Sequence, residues 1–253
     1  METTVTFISV VRDKAMYEKC ITSNPFVNRH TLIPIDNTNE NRGIPFRYNQ
    51  FLNSYDYAKP TWFVFCHEDF EFQEDIYDKL CTLDTHVLYG PIGAITKVLF
   101  RLIYLWKPIG SIMESNKDGT GLHRIGSEAD SKTPVETFDC SCLIAHSDLI
   151  QKYNLRFDEQ LSFDLYVEDF CIAAHETHHI PSQILSFKCR HWSGGNAGER
   201  FYKQLSYLNS KYTFCCYTSL CAYTIGKPNT LRWLNYALRA QLKKAKRLLT
   251  LFR

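Results

Sequence analysis

The sequence lacks a hydrophobic run long enough to cross a lipid bilayer. No stretch of the 253 residues approaches the roughly 20 consecutive apolar residues that a membrane-spanning helix needs. The amino terminus also lacks the basic and then apolar pattern of a secretion signal, because its apolar segment, residues 5–11, is short and begins close to Met1. We therefore expect a cytoplasmic protein.

No Cys-x-x-Cys pair occurs among the ten cysteines, which argues against a standard zinc finger. In the reducing cytoplasm we expect most of these thiols to be free and packed in the core. A zinc site built from a looser set of side chains is the alternative reading of the histidines and cysteines. Its candidate ligands are Cys171, His175, His178, His179, Cys189 and His191.

Acidic residues are absent from the last 54 residues of the chain. All 27 Asp and Glu residues and 18 of the 29 Lys and Arg residues precede residue 200, and the other 11 basic residues lie at or after it. Leucines recur at three- and four-residue steps within residues 230–253, with most of the basic residues outside that stripe. This pattern predicts a C-terminal basic amphipathic helix.

Such a helix favours docking on an anionic membrane surface, at the inner face of the cell membrane. Two other partners stay open for it: the body of the protein, and a second copy of the chain in a homodimer. Charge alone would also suit nucleic acid. Because the sequence has no basic face interleaved with aromatic residues and no known binding motif, we expect no nucleic-acid partner.

Strands and helices alternate along the rest of the chain. Apolar and β-branched runs predict strands at residues 3–11, 30–35, 62–66, 87–95, 133–146 and 180–188. Helical patterns lie between them at about 14–23, 45–54, 75–83, 149–153 and 167–174. This order predicts an α/β fold with a mostly parallel central sheet flanked by helices.

We expect one main domain in residues 1–212, followed by a helical, basic tail in residues 213–253. Residues 97–132 interrupt the alternation, because their second half is rich in Gly, Ser and charged residues. Segments of this length inside a compact domain are usually lids or disordered loops. We interpret residues 97–132 as an insertion or a mobile loop.

The strand at residues 62–66 is apolar throughout and ends abruptly in His67, Glu68 and Asp69. Ligands of open α/β sheets bind outside the carboxyl ends of the strands, so polar residues at this position are well placed for a site. A carboxylate after a buried strand is, on its own, more often a helix cap or a turn residue.

A second acidic pair, Glu168 and Asp169, stands at the start of a predicted helix. Acids there favour the helix dipole, which is the simpler explanation for the pair taken alone. It is the order of several such features along the chain that points to a function.

The features in that order are a strand ending near Asp36, an Asn-x-Gly stretch that runs from Asn41 to Asn49, the Phe-Cys-His-Glu-Asp tip, Phe-Asp-Glu at 157–159, Glu-Asp at 168–169 and His-Trp-Ser at 191–193. In these features residues 3–212 resemble the GT-A fold glycosyltransferases. They are most similar to the family 2 inverting enzymes of bacterial surface polysaccharide assembly.

In such enzymes the strand tip is an Asp-x-Asp motif that holds a divalent cation against the donor's diphosphate. The resemblance implies Asp69 as a metal ligand, with His191 contacting the metal or the diphosphate. His67 replaces the first aspartate and Glu68 is the middle residue, and both are expected at the donor. Mn²⁺ or Mg²⁺ would offset the charge that develops on the leaving diphosphate.

The resemblance also implies roles for residues outside the tip. Asp36 is expected near the nucleoside, Asn49 on the donor, and Trp192 stacked on a sugar or base. An inverting transfer needs a carboxylate that takes the proton from the acceptor hydroxyl. Alignment by the following Phe-Cys favours Asp169 as this base, with Glu168 second and Asp164 third.

The implied activity is transfer of a sugar from a nucleotide-sugar donor, most simply a UDP-sugar, to a lipid-linked acceptor of a surface glycan, with inversion. A nucleotidyltransferase on a similar sheet is one alternative, although residues 10–13 do not form the Gly-rich basic loop that it needs. A catalytically inactive module that binds a nucleotide or sugar is another, because His67 replaces the usual aspartate.

Overall fold

The computed structural model describes residues 3–99, 103–193, 197–212, 217–221 and 224–226. The strands in these ranges are β1 (Val5–Val11), β2 (Thr31–Asp36), β3 (Trp62–Cys66), β4 (Phe70–Phe72), β5 (Leu88–Gly90), β6 (Ile92–Leu99), β7 (Ile103–Glu114), β8 (His123–Ser127), β9 (Pro134–Val135), β10 (Thr137–Phe138), β11 (Cys142–His146), β12 (Ser182–Ile184), β13 (Cys189–His191), β14 (Tyr217–Thr218) and β15 (Thr224–Ile225). The helices are α1 (Lys14–Tyr17), α2 (Ile44–Ser54), α3 (Tyr77–Leu80), α4 (Ser147–Tyr153), α5 (Tyr166–His178) and α6 (Glu199–Lys211), and a π-helical turn, Glu18–Thr22, continues α1.

The central sheet has the strand order β2-β1-β3-β11-β5-β12-β9. Its pairing is mixed: β1 runs parallel to β2 and β3, and β5 parallel to β12, whereas β11 and β9 run antiparallel to their neighbours. The α/β prediction of a central sheet flanked by helices is confirmed. Because β1, β2 and β3 are parallel neighbours, their carboxyl ends meet at one edge of the sheet.

Strands β1 and β3 are buried along their whole length. On one face of the sheet Ile8 and Phe65 belong to the same hydrophobic cluster as α2, α5 and α6. On the other face Phe7 and Val64 pack in a second cluster with the π-helical turn and β4. Strands covered on both sides favour apolar residues, which explains the continuous apolar run of β3. In β1 the two buried polar residues, Thr6 and Ser9, pair their hydroxyls with Thr61 and Cys66.

A second sheet has the order β10-β6-β7-β13-β4, with β8 paired to β7. Residues 97–132, which we interpreted as an insertion or a mobile loop, contribute β7 and β8 to this sheet. Strand β13 lies between β7 and β4, so His191 stands opposite Glu114 on one side and Phe70 on the other. Because β4 follows the turn after β3, the second sheet brings β13 to the edge where β3 ends.

Three predicted strands are wrong in extent. The strand predicted at residues 180–188 is confined to β12, Ser182–Ile184. The strand predicted at residues 87–95 is divided at Pro91 into β5, which joins the central sheet, and β6, which joins the second sheet. Proline cannot donate a ladder hydrogen bond, so a chain that changes sheets does so readily there. The strand predicted at residues 133–146 is likewise three short strands, β9, β10 and β11.

Helix α5 places both predicted acids, Glu168 and Asp169, in its first turn. Its N-cap residue, Leu165, has a φ of 62°, and the Asp169 amide donates to the Leu165 carbonyl at 3.0 Å. The predicted amphipathic helix in residues 230–253 lies outside the described residues. Within the part of the chain that the structure describes, no helix is both long and apolar enough to cross a membrane.

Candidate metal and donor site

A cavity of about 510 Å³ opens at the edge where β1, β2 and β3 end. Its lining brings together residues from the turn after β3, from β13 and from the loops that precede α2 and α6. The polar and charged ones are Arg12, Asn37, Asn41, Arg42, Tyr48, His67, Glu68, Asp69, Ser162, His191, Ser193 and Arg200. The predicted strand tip and the late histidine therefore share one cavity, although they are far apart in the sequence.

His67, Asp69 and His191 form a compact group, which we call the His-Asp-His cluster. Their ligand atoms all lie within 4.8 Å of one another. Asp69 Oδ1 is 3.3 Å from His191 Nε2 and 4.0 Å from His67 Nδ1. The three side chains are only 11 to 13% exposed, so the surroundings screen their charges weakly.

The orientation of the His67 ring follows from its second nitrogen. The hydroxyl of Tyr166 donates its one proton to the carbonyl of Cys140 at 2.8 Å, so its oxygen accepts from His67 Nε2 at 3.0 Å. Nε2 therefore carries the proton of the neutral ring, and burial favours that neutral form by lowering the pKa of His67. The lone pair of Nδ1 then faces Asp69, so neither of these two atoms can donate to the other, and a cation placed between them would be stabilised by both.

His191 is oriented by a row of residues across three adjacent strands. In this row His191 of β13 pairs with Glu114 of β7, which pairs with His123 of β8. Glu114 Oε1 lies 3.6 Å from His191 Nδ1, and Glu114 Oε2 lies 3.7 Å from His123 Nε2. With Nδ1 facing Glu114, the Nε2 atom of His191 is turned toward Asp69.

The electrostatics of the cluster favour a positive charge. Burial raises the pKa of Asp69, but the neighbouring His191 and His67 outweigh it and lower the pKa overall. Burial lowers the pKa of His191, but Asp69 and Glu114 raise it to about 10. A proton on His191 or a metal ion bound to the cluster would supply this charge.

The cluster fits a divalent metal ion. His191 Nε2 is buried and makes no hydrogen bond of acceptable geometry with any described residue, although Asp69 is near. Two ligands of one ion, each bound at roughly 2.1 Å, can stand up to about 4.2 Å apart, and the separations of 3.3 and 4.0 Å lie inside this limit. Two imidazole nitrogens and a carboxylate oxygen would hold the ion and leave its other positions open to the cavity.

Glu68 has a different role from its two neighbours. Its Oε2 accepts hydrogen bonds from the backbone amides of Arg12 and Asp13, at 2.8 Å for Asp13. These contacts fix the end of β1 against the turn after β3. Glu68 lines the cavity, as predicted, but one of its oxygens is committed to this backbone contact.

The two predicted bases contact different partners, and neither lines the cavity. Both oxygens of Asp169 contact Lys211 Nζ, at 2.8 and 2.9 Å, and Oδ1 also accepts from the Tyr212 hydroxyl at 2.7 Å. Glu168 accepts the weak thiol hydrogen bond of Cys140 at 3.1 Å. Burial raises the pKa of Glu168 to about 8.

Asp36 and Asn49 are not brought into the cavity. The Asp36 carboxylate is exposed at the end of β2 and accepts from the amide and hydroxyl of Thr38. Asn49 is buried, and its amide binds the backbone of Phe157 in both directions and the carboxylate of Glu159. Asn49 thus fastens α2 to the segment before α5, which leaves its amide engaged within the protein.

Trp192 is likewise outside the cavity lining. Its indole donates to Glu71 Oε2 at 2.8 Å, and its ring lies between Lys19 Nζ and the Arg190 guanidinium, 3.1 and 3.4 Å from the ring centroid. Both contacts place cations on the ring, so the predicted stacking on a sugar or base would require these side chains to leave.

Sequence reasoning missed three residues of the site: Glu114, Tyr166 and Arg200. The contacts of Glu114 depend on strand register in a region without a recognisable motif, so no signal in the sequence marks it. Tyr166 directly precedes the acidic pair at the start of α5, a position that drew attention to the acids alone. Arg200 is the first basic residue of the acid-free segment, and that change in composition was a usable signal.

Comparison with known proteins gives a fold but not a family. No protein-family model matches the sequence, and a search of curated proteins found no match. Among solved structures, residues 1–349 of S. aureus TarS superpose with a TM-score of 0.50 at 12% identity, covering 83% of this chain and 65% of that one. TarS 1–349 in complex with UDP superposes with a TM-score of 0.46 at 13% identity, covering 80% and 63%.

This chain therefore spans somewhat less than two thirds of the length of the TarS fragment. TarS is a glycosyltransferase with a GT-A-like fold. At 12% identity the likeness shows the fold alone, and it confirms the predicted glycosyltransferase-like fold. Membership of family 2 stays a prediction.

Proposed function

We propose that this protein is an inverting glycosyltransferase that moves a sugar from a nucleotide-diphosphate donor to a hydroxyl group of a glycan acceptor. The observation that carries the proposal is the His-Asp-His cluster, placed beside the cavity at the carboxyl ends of three parallel strands. In α/β sheets this edge is where ligands bind. The glycosyltransferase-like fold supports the same reading.

The charges of the cavity suit a diphosphate. Three arginines, Arg12, Arg42 and Arg200, line it. Guanidinium groups bind phosphate oxygens well because they offer paired donors in one plane. When a divalent ion is bound at the cluster, it would offset the charge that develops on the leaving diphosphate. We favour a UDP-sugar as donor, which the solved UDP complex of TarS supports.

The acceptor needs a carboxylate that takes the proton from its attacking hydroxyl. Of the two predicted bases, the contacts favour Glu168 over Asp169, which reverses the order from the sequence. The charge of Asp169 is neutralised by its ion pair with Lys211. Glu168 has no such partner cation among the described residues, and its pKa is about 8. Glu168 also contacts Cys140, and the carbonyl of Cys140 accepts the hydrogen bond of the Tyr166 hydroxyl. A base with a pKa close to the working pH is efficient.

The acceptor and the location of the enzyme belong to the same proposal. If the acceptor is a lipid-linked surface glycan, binding of the basic tail in residues 230–253 to the inner face of the cell membrane would bring the enzyme to its acceptor. The enzyme would then be cytoplasmic and bound peripherally to that membrane.

A titration of nucleotides tests the proposal. UDP, GDP, ADP and CDP are added with and without Mn²⁺, and binding is read by calorimetry and by the shift in unfolding temperature. We expect UDP with Mn²⁺ to bind best, and Asp69→Asn to weaken that binding at least about tenfold because a metal ligand is lost. The matched control is Asp84→Asn, an exposed aspartate that is also paired with a histidine, and it should bind like the wild type.

Products then separate the reaction classes. Release of UDP from a UDP-sugar supports the proposal, and replacing Glu168 by Gln should lower kcat far more than replacing Asp169 by Asn. Release of pyrophosphate would instead identify a nucleotidyltransferase, and binding without turnover an inactive binding module. If none of the four nucleotides binds, with or without metal, the proposal is wrong.

A further inference from the structure

The composition of the His-Asp-His cluster bears on which ion it selects. An Asp-x-Asp tip would present carboxylate oxygens, the ligands that Mg²⁺ prefers. Here two of the three ligand atoms are imidazole nitrogens, from His67 and His191. Imidazole suits first-row transition metals, whereas Mg²⁺ holds oxygen ligands and water and dehydrates reluctantly.

Both rings are held by residues behind them, so their metal-facing atoms are set before any ion arrives. Tyr166 accepts from His67 Nε2 and leaves Nδ1 facing Asp69. Glu114 lies on the Nδ1 side of His191 and leaves Nε2 facing Asp69. A carboxylate or hydroxyl behind a histidine fixes its tautomer and ring orientation and makes it a better ligand.

The strand register makes the second of these arrangements rigid. His191, Glu114 and His123 stand side by side on β13, β7 and β8, where paired residues on one face are neighbours. The backbone amide of Ser115 also donates to the His191 carbonyl at 3.1 Å, which continues the pairing of the two strands beyond Glu114. Glu114 is therefore positioned by the sheet and not by a flexible loop.

We propose that this site binds a first-row transition-metal dication, such as Mn²⁺, Co²⁺, Fe²⁺ or Zn²⁺, in preference to Mg²⁺. In this proposal Glu114 and Tyr166 are positioning residues that hold His191 and His67 toward the ion. The inference rests on the proposed function in so far as both use the His-Asp-His cluster, but it concerns binding of the metal alone.

The test is equilibrium binding of metal ions to the full chain without nucleotide. Mn²⁺, Co²⁺ and Mg²⁺ are titrated separately, with Mn²⁺ followed by its electron paramagnetic resonance signal and Co²⁺ by its visible absorption. We expect Mn²⁺ and Co²⁺ to bind at least about tenfold more tightly than Mg²⁺, and the Co²⁺ bands to report nitrogen ligands. Equal affinity for Mg²⁺ and Mn²⁺, or binding of neither, overturns the proposal.

His67→Asp is the informative variant, because it restores a carboxylate at the tip. It should lower the preference for Co²⁺ over Mg²⁺ by about tenfold and shift the Co²⁺ bands as a nitrogen ligand is lost. The matched control is His86→Asp: His86 Nδ1 lies 3.5 Å from Asp84, but no third ligand completes a cluster there among the described residues. An unchanged metal preference in His67→Asp would contradict the proposal.

Glu114→Gln and Tyr166→Phe test the positioning residues. Each should weaken Co²⁺ binding by about tenfold and alter the Co²⁺ spectrum while the three ligands remain, and Glu114→Asp should recover part of the loss. Circular dichroism first establishes that each variant is folded, and Glu114→Gln carries the test if the buried Tyr166 does not tolerate replacement. Wild-type metal affinity and spectrum in a folded Glu114→Gln protein would show that Glu114 has no such role.

The two proposals fail separately. Selective binding of Mn²⁺ or Co²⁺ with no binding of any nucleotide would leave the metal site standing and remove the glycosyltransferase. If UDP binds as readily in the presence of Mg²⁺ as in the presence of Mn²⁺, the glycosyltransferase proposal stands and the proposed metal preference is wrong.

Discussion

Among single residues, Glu168 has the clearest pH signature. Its side chain is buried at the start of α5. Burial, and to a smaller extent the nearby charge of Asp139, raises the pKa of Glu168 from 4.5 to about 8. The hydrogen bond from the Cys140 thiol lowers this pKa, but its effect is weaker. Between these two values the folded protein holds a proton that the unfolded chain releases, so the free energy of unfolding must fall as the pH rises from about 4.5 to about 8.

Replacing Glu168 by Gln should remove this dependence. Relative to the variant, we expect the wild type to lose roughly 3 kcal/mol between pH 5 and pH 8, and little more above that. Urea unfolding of both proteins at each pH measures the difference, in which the contributions of the other groups cancel. Parallel stability curves for the two proteins would mean that Glu168 is ionised in the folded state throughout.

The sequence predicted that the residues of the His-Asp-His cluster share one site, but not the side-chain contacts of the other candidate residues. Asp69, His67 and His191 were predicted together from the family resemblance, and the structure brings them together. His67 and Asp69 follow β3, a buried apolar strand that a pattern can mark, whereas His191 ends β13, whose sequence Cys-Arg-His carries no such pattern. Asp36 and Asn49 were also predicted, but their polar atoms are used by Thr38, Phe157 and Glu159. Side-chain partners of this kind depend on loop geometry, which no spacing rule records.

Among the elements, α6 is joined to α5 by an ion pair of Lys211 in addition to apolar packing. Its Nζ bridges Asp169 of α5, at 2.8 and 2.9 Å, and Asp158 of the preceding loop, at 2.7 Å. Asp169 is 2% exposed, so loss of the ammonium would leave a buried carboxylate whose remaining side-chain partner among the described residues is the Tyr212 hydroxyl. Removing one member of a buried ion pair costs more than the pair itself contributes.

Lys211→Met should therefore lower the free energy of unfolding by about 3 kcal/mol, measured by urea denaturation. The double variant Lys211→Met with Asp169→Asn should recover part of the loss, because no unpaired charge remains. A single variant within about 0.5 kcal/mol of the wild type would indicate that solvent already screens the pair.

The hairpin that carries Glu114 depends on two glycines with positive φ, Gly110 (80°) and Gly126 (79°). A Cβ atom on Gly126 would lie 2.2 Å from the carbonyl oxygen of Gly110, so neither the backbone angle nor the space accepts a side chain. We expect Gly126→Ala to cost about 2 kcal/mol or more in urea unfolding. Gly198→Ala, where a Cβ meets nothing within 4 Å, is the control. Because Gly198 is the N-cap residue of α6, where Ala is a poorer cap than Gly, the control should cost no more than about 1 kcal/mol. A Gly126→Ala variant as stable as Gly198→Ala would contradict the prediction.

Element boundaries show the limit of pattern reading. Strands β1 and β3 were predicted nearly to the residue, because strands buried on both faces leave the clearest signal. The change of sheet at Pro91 was not, since the residues on both sides are equally apolar. Strands β7 and β8 escaped prediction because their partners across the second sheet, and not their own composition, make them strands.

At the scale of the whole molecule, acidic and basic residues are distributed unevenly along the chain. The acidic residues all precede residue 200, where they include the carboxylates of the site, and the acid-free remainder carries 11 basic residues. Eight of these lie in residues 227–253, outside the described residues. A segment of this charge is attracted to anionic lipid by about 1 kcal/mol for each basic residue near the surface, and salt weakens the attraction.

The full chain should therefore sediment with vesicles that contain anionic lipid and not with vesicles of neutral lipid, and it should be released as the salt concentration rises. A chain ending at Lys227 should stay in the supernatant, since it lacks seven of the basic residues together with the leucine stripe. A variant in which Lys243, Lys244, Lys246 and Arg247 are replaced by Gln keeps the stripe and removes four charges, so it separates electrostatic binding from insertion of the apolar face. If the truncated chain sediments like the full chain, the membrane contact lies outside residues 228–253. If the full chain does not sediment with anionic vesicles, the partner of the tail is the body of the protein or a second copy of the chain.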